Sequence, residues 1–249
     1  MAFDSYLLLA SLAAFLVGLS KGGLSSVGML AVPLLSLVMS PVKAAVLLLP
    51  VFVVSDMVGI WLYRKHFDVS NLKILIPAGC LGILVGWLTA SAVSDTAVKL
   101  LIGLIGVSFC LNTWLRPFDP SNKTAPHFGK GMFWGALSGF TSFISHAGAP
   151  PYQVYMLPQQ LAKITFAGTT TWFFAVINAA KIIPYQDLSP YADEDLVSAG
   201  LLLPAALIGT FVGAYLTRRI SERWFFRFIQ WGLFALSLKL IADALKAWL

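Results

Sequence analysis

An all-α integral membrane protein built from two inverted repeats is the fold class this sequence predicts, and three observations predict it. The first is composition: 58% of the 249 residues are hydrophobic and 11% charged, with a mean hydropathy of +0.82, too little polar surface for a water-soluble globule. The second is an internal echo. Gly18-Leu-Ser-Lys-Gly-Gly-Leu-Ser-Ser-Val-Gly-Met-Leu-Ala-Val-Pro33 aligns without a gap to Ala136-Leu-Ser-Gly-Phe-Thr-Ser-Phe-Ile-Ser-His-Ala-Gly-Ala-Pro-Pro151. Ser20 with Ser138, Pro33 with Pro151 and Ala44 with Ala162 are each 118 residues apart. Pro77 with Pro204, Gly82 with Gly209 and Gly86 with Gly213 are 127 apart, so the second copy carries nine more residues. The third is the placement of basic loops, which fixes how each copy is inserted.

Each copy opens with a long interrupted apolar element and continues with three long spans. In the first repeat, residues 1–116, these are about Ser5 to Met39, then Val42 to Tyr63, Leu72 to Ala92 and Ala97 to Leu115. Residues 117–130 form a cytoplasmic linker. The second repeat, residues 131–249, has Gly131 to Leu157, then Leu161 to Tyr185, Leu196 to Thr217 and Trp224 to Leu249. Each later span is near the roughly 20 residues that cross hydrocarbon. The start, Met1 to Tyr6, lacks the positive flank of a signal peptide, so the first apolar segment is expected to be retained, and no soluble domain is expected.

Basic loops mark the cytoplasmic side. Arg64-Lys65-His66 with Lys73, the linker with Arg116, Lys123 and Lys130, and Arg218-Arg219 with Arg223 and Arg227 are therefore placed inside. The turn at Ser94-Asp95-Thr96 and the stretch with Asp187 and Asp193-Glu194-Asp195 carry no basic residue and are placed outside. The second copy thus starts inside and reaches the outside after one interrupted element and one full span. Its interrupted element must return to the side it entered, as a re-entrant hairpin or as two short crossings. Each half then crosses an odd number of times, the halves insert in opposite directions, and both chain ends lie outside the cytoplasm.

A broken helix exposes backbone N–H and C=O groups that hydrocarbon cannot satisfy, so such breaks persist where protein or water surrounds them. Interrupted segments at matching places in two repeats point to a transport site. In the first break Gly22 and Gly23 allow close backbone approach and positive φ, Ser20, Ser25 and Ser26 can cap a following half-helix, and Lys21 adds a full charge. The second break supplies Ser142, His146, Ala147, Gly148 and prolines suited to a first helical turn. Gln153 follows directly. Thr169 to Thr171, Asn178 and Lys181 lie on the next span, the last two on one helical face. Cationic groups and helix N-termini aimed at one midplane point describe an anion site. Asp56 is the sole acid deep in the first four segments; it either neutralises a lysine or carries a proton, and His146 is the other candidate for proton coupling.

Plainer readings apply elsewhere. Gly82, Gly86, Gly209 and Gly213 have the four-residue spacing of helix packing. Lys43 and Lys163 sit near helix ends, where a lysine either snorkels to the interface or reaches the site. Trp61, Trp114 and Trp224 read as interfacial belt residues. Cys80 and Cys110 have no ligand or redox spacing, and neither a metal nor a cofactor is expected.

At the two breaks the chain resembles the TauE/SafE family of sulfite exporters, also called the TSUP anion exporters. The most specific stretches are Gly139-Phe-Thr-Ser-Phe-Ile-Ser-His-Ala-Gly-Ala-Pro-Pro-Tyr-Gln-Val-Tyr-Met-Leu-Pro158, Phe166-Ala-Gly-Thr-Thr170 and Asn178-Ala-Ala-Lys-Ile-Ile-Pro-Tyr185. The first copy looks like a weaker version, since Lys21 interrupts what is commonly a longer glycine run. The resemblance implies export of sulfite, or of a related sulfur oxyanion or organosulfonate, across the cell's inner or plasma membrane. The partners expected are that small anion and the lipid bilayer, with no nucleic acid; a homodimer is left open. The rivals are an anion channel, an intramembrane enzyme using Ser145 and His146, and a non-transporting scaffold subunit. The enzyme lacks an orienting third group, so no catalysis is expected.

Overall fold

The computed structural model describes residues 2–25, 27–35, 38–39, 41–89, 95–115, 123–188, 190 and 192–248. Among them the chain is helical, with no strand. The helices are α1 (Ala2–Lys21), α2 (Ala31–Leu35), α3 (Pro41–Tyr63), α4 (Val69–Thr89), α5 (Asp95–Leu115), α6 (Phe128–Ser145), α7 (Ala149–Met156), α8 (Lys163–Ala180), α9 (Ile182–Leu188), α10 (Asp193–Arg219) and α11 (Glu222–Trp248). Short 3-10 turns occupy Val27–Leu30 and Leu157–Gln159. Five apolar stretches are long enough to cross a membrane: Lys43–Tyr63, Val69–Thr89, Lys163–Leu188, Asp193–Arg219 and Arg223–Ala247. The chain is thus a multi-pass membrane protein. Ser26, Ser94 of the expected outward turn and residues 117–122 of the expected linker lie outside the described residues.

The helices fall into two compact units, each drawing on both repeats. Met1–Asp68 and Lys163–Ser221 make the first; Val69–Ala162 and Glu222–Leu249 make the second. In the first unit α1 packs most extensively on α10, and α3 packs on both α8 and α10. In the second, α4 packs on α6 and α5 on α11.

Close contacts at the glycines give the directions within each unit. A Cβ on Gly209 would meet the backbone of Phe15, and one on Gly213 that of Leu19, so α1 and α10 run parallel. Gly59 faces Thr171 and Gly168 faces His66, so α3 and α8 run antiparallel. In the second unit Gly131 faces Ile74, Gly135 faces Ala78 and Gly86 faces Phe143, which makes α4 and α6 parallel. Gly103 faces Ile241 and Gly106 faces Ser237, which makes α5 and α11 antiparallel. Two pairs of helices at equivalent places in the two copies, α3 with α8 and α5 with α11, therefore run in opposite directions.

The four-residue glycine spacing is a packing device, as expected. A Cβ on Gly82 would strike the Ala136 carbonyl, and one on Gly18 the Ala206 carbonyl, so these backbones touch. One span departs from expectation. Leu161 to Tyr185 reads as uninterrupted, but the structure breaks it at Lys181 between α8 and α9. Pro184 is the cause, because it has no N–H for the Ala180 carbonyl and its ring crowds that carbonyl. The Lys181 amide compensates by bonding both Ile177 and Asn178 carbonyls, each at 3.2 Å.

Side chains at the closest helix crossings should be intolerable. Gly18→Leu or Gly82→Leu is expected to abolish accumulation of folded protein, read by detergent size exclusion. Gly200 has nothing within 4 Å of a Cβ. Gly200→Ala should therefore be neutral or stabilising, by up to about 1 kcal/mol, in a thermal unfolding series.

Candidate functional site

The first break closes α1 with a hydrogen-bonded stop. The Leu24 amide donates to the Leu19 carbonyl at 3.2 Å and the Gly23 amide to the Ser20 carbonyl at 3.1 Å, the paired bonds of a Schellman motif. Gly23 sits at φ +114°, a conformation that side chains disfavour. A Cβ on Gly22 would lie 2.5 Å from the Ala214 nitrogen and the Thr210 carbonyl oxygen, so this glycine lets α1 lie against α10. The break holds a helix C-terminus, and the groups left over there are carbonyls. Three hydroxyls take them. Tyr63 and Thr217 both donate to the Gly22 carbonyl, Thr217 at 3.0 Å, and Thr171 donates to the Lys21 carbonyl at 3.3 Å.

This revises one feature of the sequence reading. The segment after the break was expected to be a half-helix presenting N–H donors, but it is a single 3-10 turn followed by the five-residue α2. The Ser20 hydroxyl donates back to the Val17 carbonyl at 2.7 Å, within its own helix. Ser25 is buried.

Lys21 is the last residue of α1, and its side chain is almost wholly buried, at 5% exposure. Helical side chains lean toward the N-terminus, so the ammonium is thrown back along α1, away from the break. It meets Asp56 of α3, with Nζ 2.8 Å from Oδ1. The Asn178 amide of α8 donates to the other carboxylate oxygen, Oδ2, at 2.7 Å. The rings of Phe52 and Phe174 flank the same Nζ, with centroids at 5.0 and 5.8 Å. Lys181, fully buried at the α8–α9 break, is close enough to act electrostatically on both Lys21 and Asp56. Asp56 thus neutralises a lysine, one of the two roles read for it. This unit thus buries two lysines and one aspartate among the described residues.

Thr169 and Thr170 each donate to the carbonyl four residues earlier, Thr171 shares its one proton between the Ala167 carbonyl at 2.9 Å and the Lys21 carbonyl at 3.3 Å, and Thr169 also accepts the Asp68 amide at 2.9 Å. Their hydroxyl protons thus go to backbone. The two lysines at helix ends part ways. Lys43 is exposed, whereas Lys163 donates to the Arg218 carbonyl at 3.1 Å and to the Ile220 carbonyl, capping the C-terminus of α10.

The second break belongs to the other unit. With no glycine where α1 has Gly22 and Gly23, α6 continues to Ser145 and stops on His146, which adopts φ +53°. The His146 amide bonds the Ser142 carbonyl and the Ala147 amide the Thr141 carbonyl. Ser138 and Thr141 hold the turn by donating to the carbonyls of Gly148, at 2.7 Å, and Ala147, at 3.1 Å. α7 starts at Ala149 with Gly148 as its N-cap and no capping side chain. Pro150 and Pro151 have no N–H, so Gly148 and Ala149 supply the amides this helix start can offer. Ser142, His146 and Gln153 are all buried.

Sequence reasoning missed three groups. Tyr63 and Thr217 looked like ordinary span-end residues; only the location of the α1 stop gives them a role. Asn71 and Gln159 form a reciprocal buried amide pair in the second unit, at 2.8 and 3.1 Å.

Fold and site together define a multi-pass membrane protein with a small buried charge cluster. Residues 10–240 match the family described as sulfite exporter TauE/SafE, and the chain belongs to that family. No curated protein and no solved structure matches the chain.

The hydroxyl clamp on Gly22 makes a stability prediction. Tyr63→Phe and Thr217→Val should each cost about 1 kcal/mol, because the other donor remains. The double variant leaves a buried carbonyl orphaned and should cost more than the sum of the two, as a double-mutant cycle of detergent unfolding would register.

Proposed function

We propose that this chain exports sulfite, or a related sulfur oxyanion or organosulfonate, from the cytoplasm, with the anion taken up beside Lys21 and Lys181. Membership of the family supports membrane export of such anions. The observation that carries the site is the buried cluster itself: Lys21, Asp56, Asn178 and Lys181 all lie buried in one unit, with Lys21 and Asn178 on the two oxygens of Asp56. Ionisable side chains inside a membrane protein are costly and mark a substrate pathway by default. A compact oxyanion would gain charge-assisted hydrogen bonds there.

Depth fits this role. Asp56 precedes Tyr63, the last residue of α3, by seven positions, about 10 Å at helical rise. Tyr63 adjoins the basic loop assigned to the cytoplasm, so the cluster would lie well inside a hydrocarbon layer about 30 Å thick. The antiparallel courses of α3 and α8, and of α5 and α11, support an inverted repeat, and Lys21 and Lys181 come from different repeats. An inside-negative potential would drive the anion outward with about 2.3 kcal/mol per charge per 100 mV, so export needs no second coupling ion.

Proteoliposomes test this directly. Labelled sulfite flux should be saturable and should grow with imposed voltage. Lys181→Met or Lys21→Met should lower it by about tenfold or more, the loss of one charge-assisted contact. No flux of sulfite, thiosulfate or a small sulfonate in the wild type would reject the reading. Full flux in both lysine variants would remove the anion from this cluster.

A further inference from the structure

Three features of the cluster remain without a use in simple anion binding. Asp56 occupies the Lys21 ammonium at 2.8 Å, where an exported anion would have to sit. Its second oxygen is held separately, by Asn178 at 2.7 Å. The hydroxyl of Ser55, its neighbour on α3, is fully buried with no hydrogen-bond partner. A pair serving stability alone would be expected to satisfy its polar surroundings.

We propose that Asp56 is a tethered competitor: its carboxylate occupies Lys21 while the site is empty, and the exported anion takes that place as the carboxylate withdraws onto Asn178. The inference rests on the anion-export reading and adds to it a device that sets affinity. Both end states are provided for in the geometry. With the carboxylate seated, the two buried charges of the pair cancel. With it displaced, Phe52 and Phe174 still flank the ammonium, and Asn178 still holds Oδ2. The elements packed on α3 bring no further buried charge, since the described buried residues of α10 are neutral.

A tethered competitor lowers apparent affinity by the fraction of time that the cation is released. If the carboxylate is seated about nine-tenths of the time, affinity for the anion is cut about tenfold. For an exporter this is useful: a buried cation left open to a small oxyanion would hold its cargo and release it slowly. The intramolecular carboxylate returns as the anion leaves, so the ammonium is left bare for only a small fraction of the time.

The test is sulfite affinity in purified protein, read as the sulfite-induced rise in unfolding midpoint and as half-saturation of flux in proteoliposomes. Asp56→Asn removes the competitor and keeps a hydrogen-bonding amide. Its half-saturating sulfite concentration should fall about tenfold, and its sulfite-free midpoint should drop, because two ammoniums then share the site alone. Asp56→Glu should stay near wild type. Asn178→Ala, which removes the carboxylate's refuge, should raise half-saturation several-fold in the wild-type background and have little effect in Asp56→Asn. Affinity unchanged or weakened in Asp56→Asn, while wild-type protein binds and moves sulfite, overturns the competitor alone. If Asp56→Asn does not fold, an Asn178→Ala variant with wild-type affinity overturns it as well. Wild-type protein that neither binds nor moves a sulfur oxyanion overturns the export reading, and the competitor with it.

Discussion

A helix that stops inside an apolar protein leaves its last carbonyls without partners, and hydrocarbon offers none. Everything at the first break answers that constraint. The Schellman bonds close the stop on itself, Gly23 takes the backbone angle the closure needs, and hydroxyls from α3, α8 and α10 take the carbonyls of Lys21 and Gly22. Because the three donors come from three helices, the stop can form only once those helices are assembled. The break in α1 is therefore a product of tertiary structure as much as of its glycines. It also fixes the last side chain of α1, and with it the direction of the Lys21 ammonium.

That direction decides the electrostatics. A lysine one turn later would fall in the break and compete for the carbonyls there. At the final helical position it leans back among apolar side chains, where a lone ammonium would be costly. Asp56 and two aromatic rings make the position tolerable, and Asn178 orients the carboxylate. Each group has its geometry set by a different helix. The cluster thus ties α1, α3 and α8 together by charge at one level and by hydroxyl-to-carbonyl bonds at another.

Much of this was legible in the chain. Apolar runs located the spans, and the glycine pairs at Gly82 and Gly209 marked helix contacts. Lys21, Asp56 and Lys181 stood out because charge inside an apolar segment is expensive, and Asn178 because it shares a helical face with Lys181. Their mutual arrangement was not legible, since pairing Lys21 with Asp56 depends on the crossing of α1 over α3, which no local pattern encodes. The same holds for Tyr63 and Thr217, whose hydroxyls matter only because α1 ends beside them. The α8–α9 break was within reach, because Pro184 stands in the span; a continuous run of apolar residues masked it.

The two breaks differ through a few residues. Both restart at the same register, α2 at Ala31 and α7 at Ala149, 118 residues apart. Their first limbs end at different places, because Gly22 and Gly23 stop α1 whereas their counterparts, Phe140 and Thr141, let α6 continue. The extra turn of α6 shortens the second break to three residues and forces a histidine into a left-handed conformation that glycine would occupy more cheaply. A glycine at 146 would relieve that strain, so holding an imidazole there carries a cost that folding alone does not require. The same logic applies to Lys21, which neutral residues could replace with less penalty. In each copy the costly residue sits at the last position before the chain turns, where backbone geometry aims its side chain most narrowly.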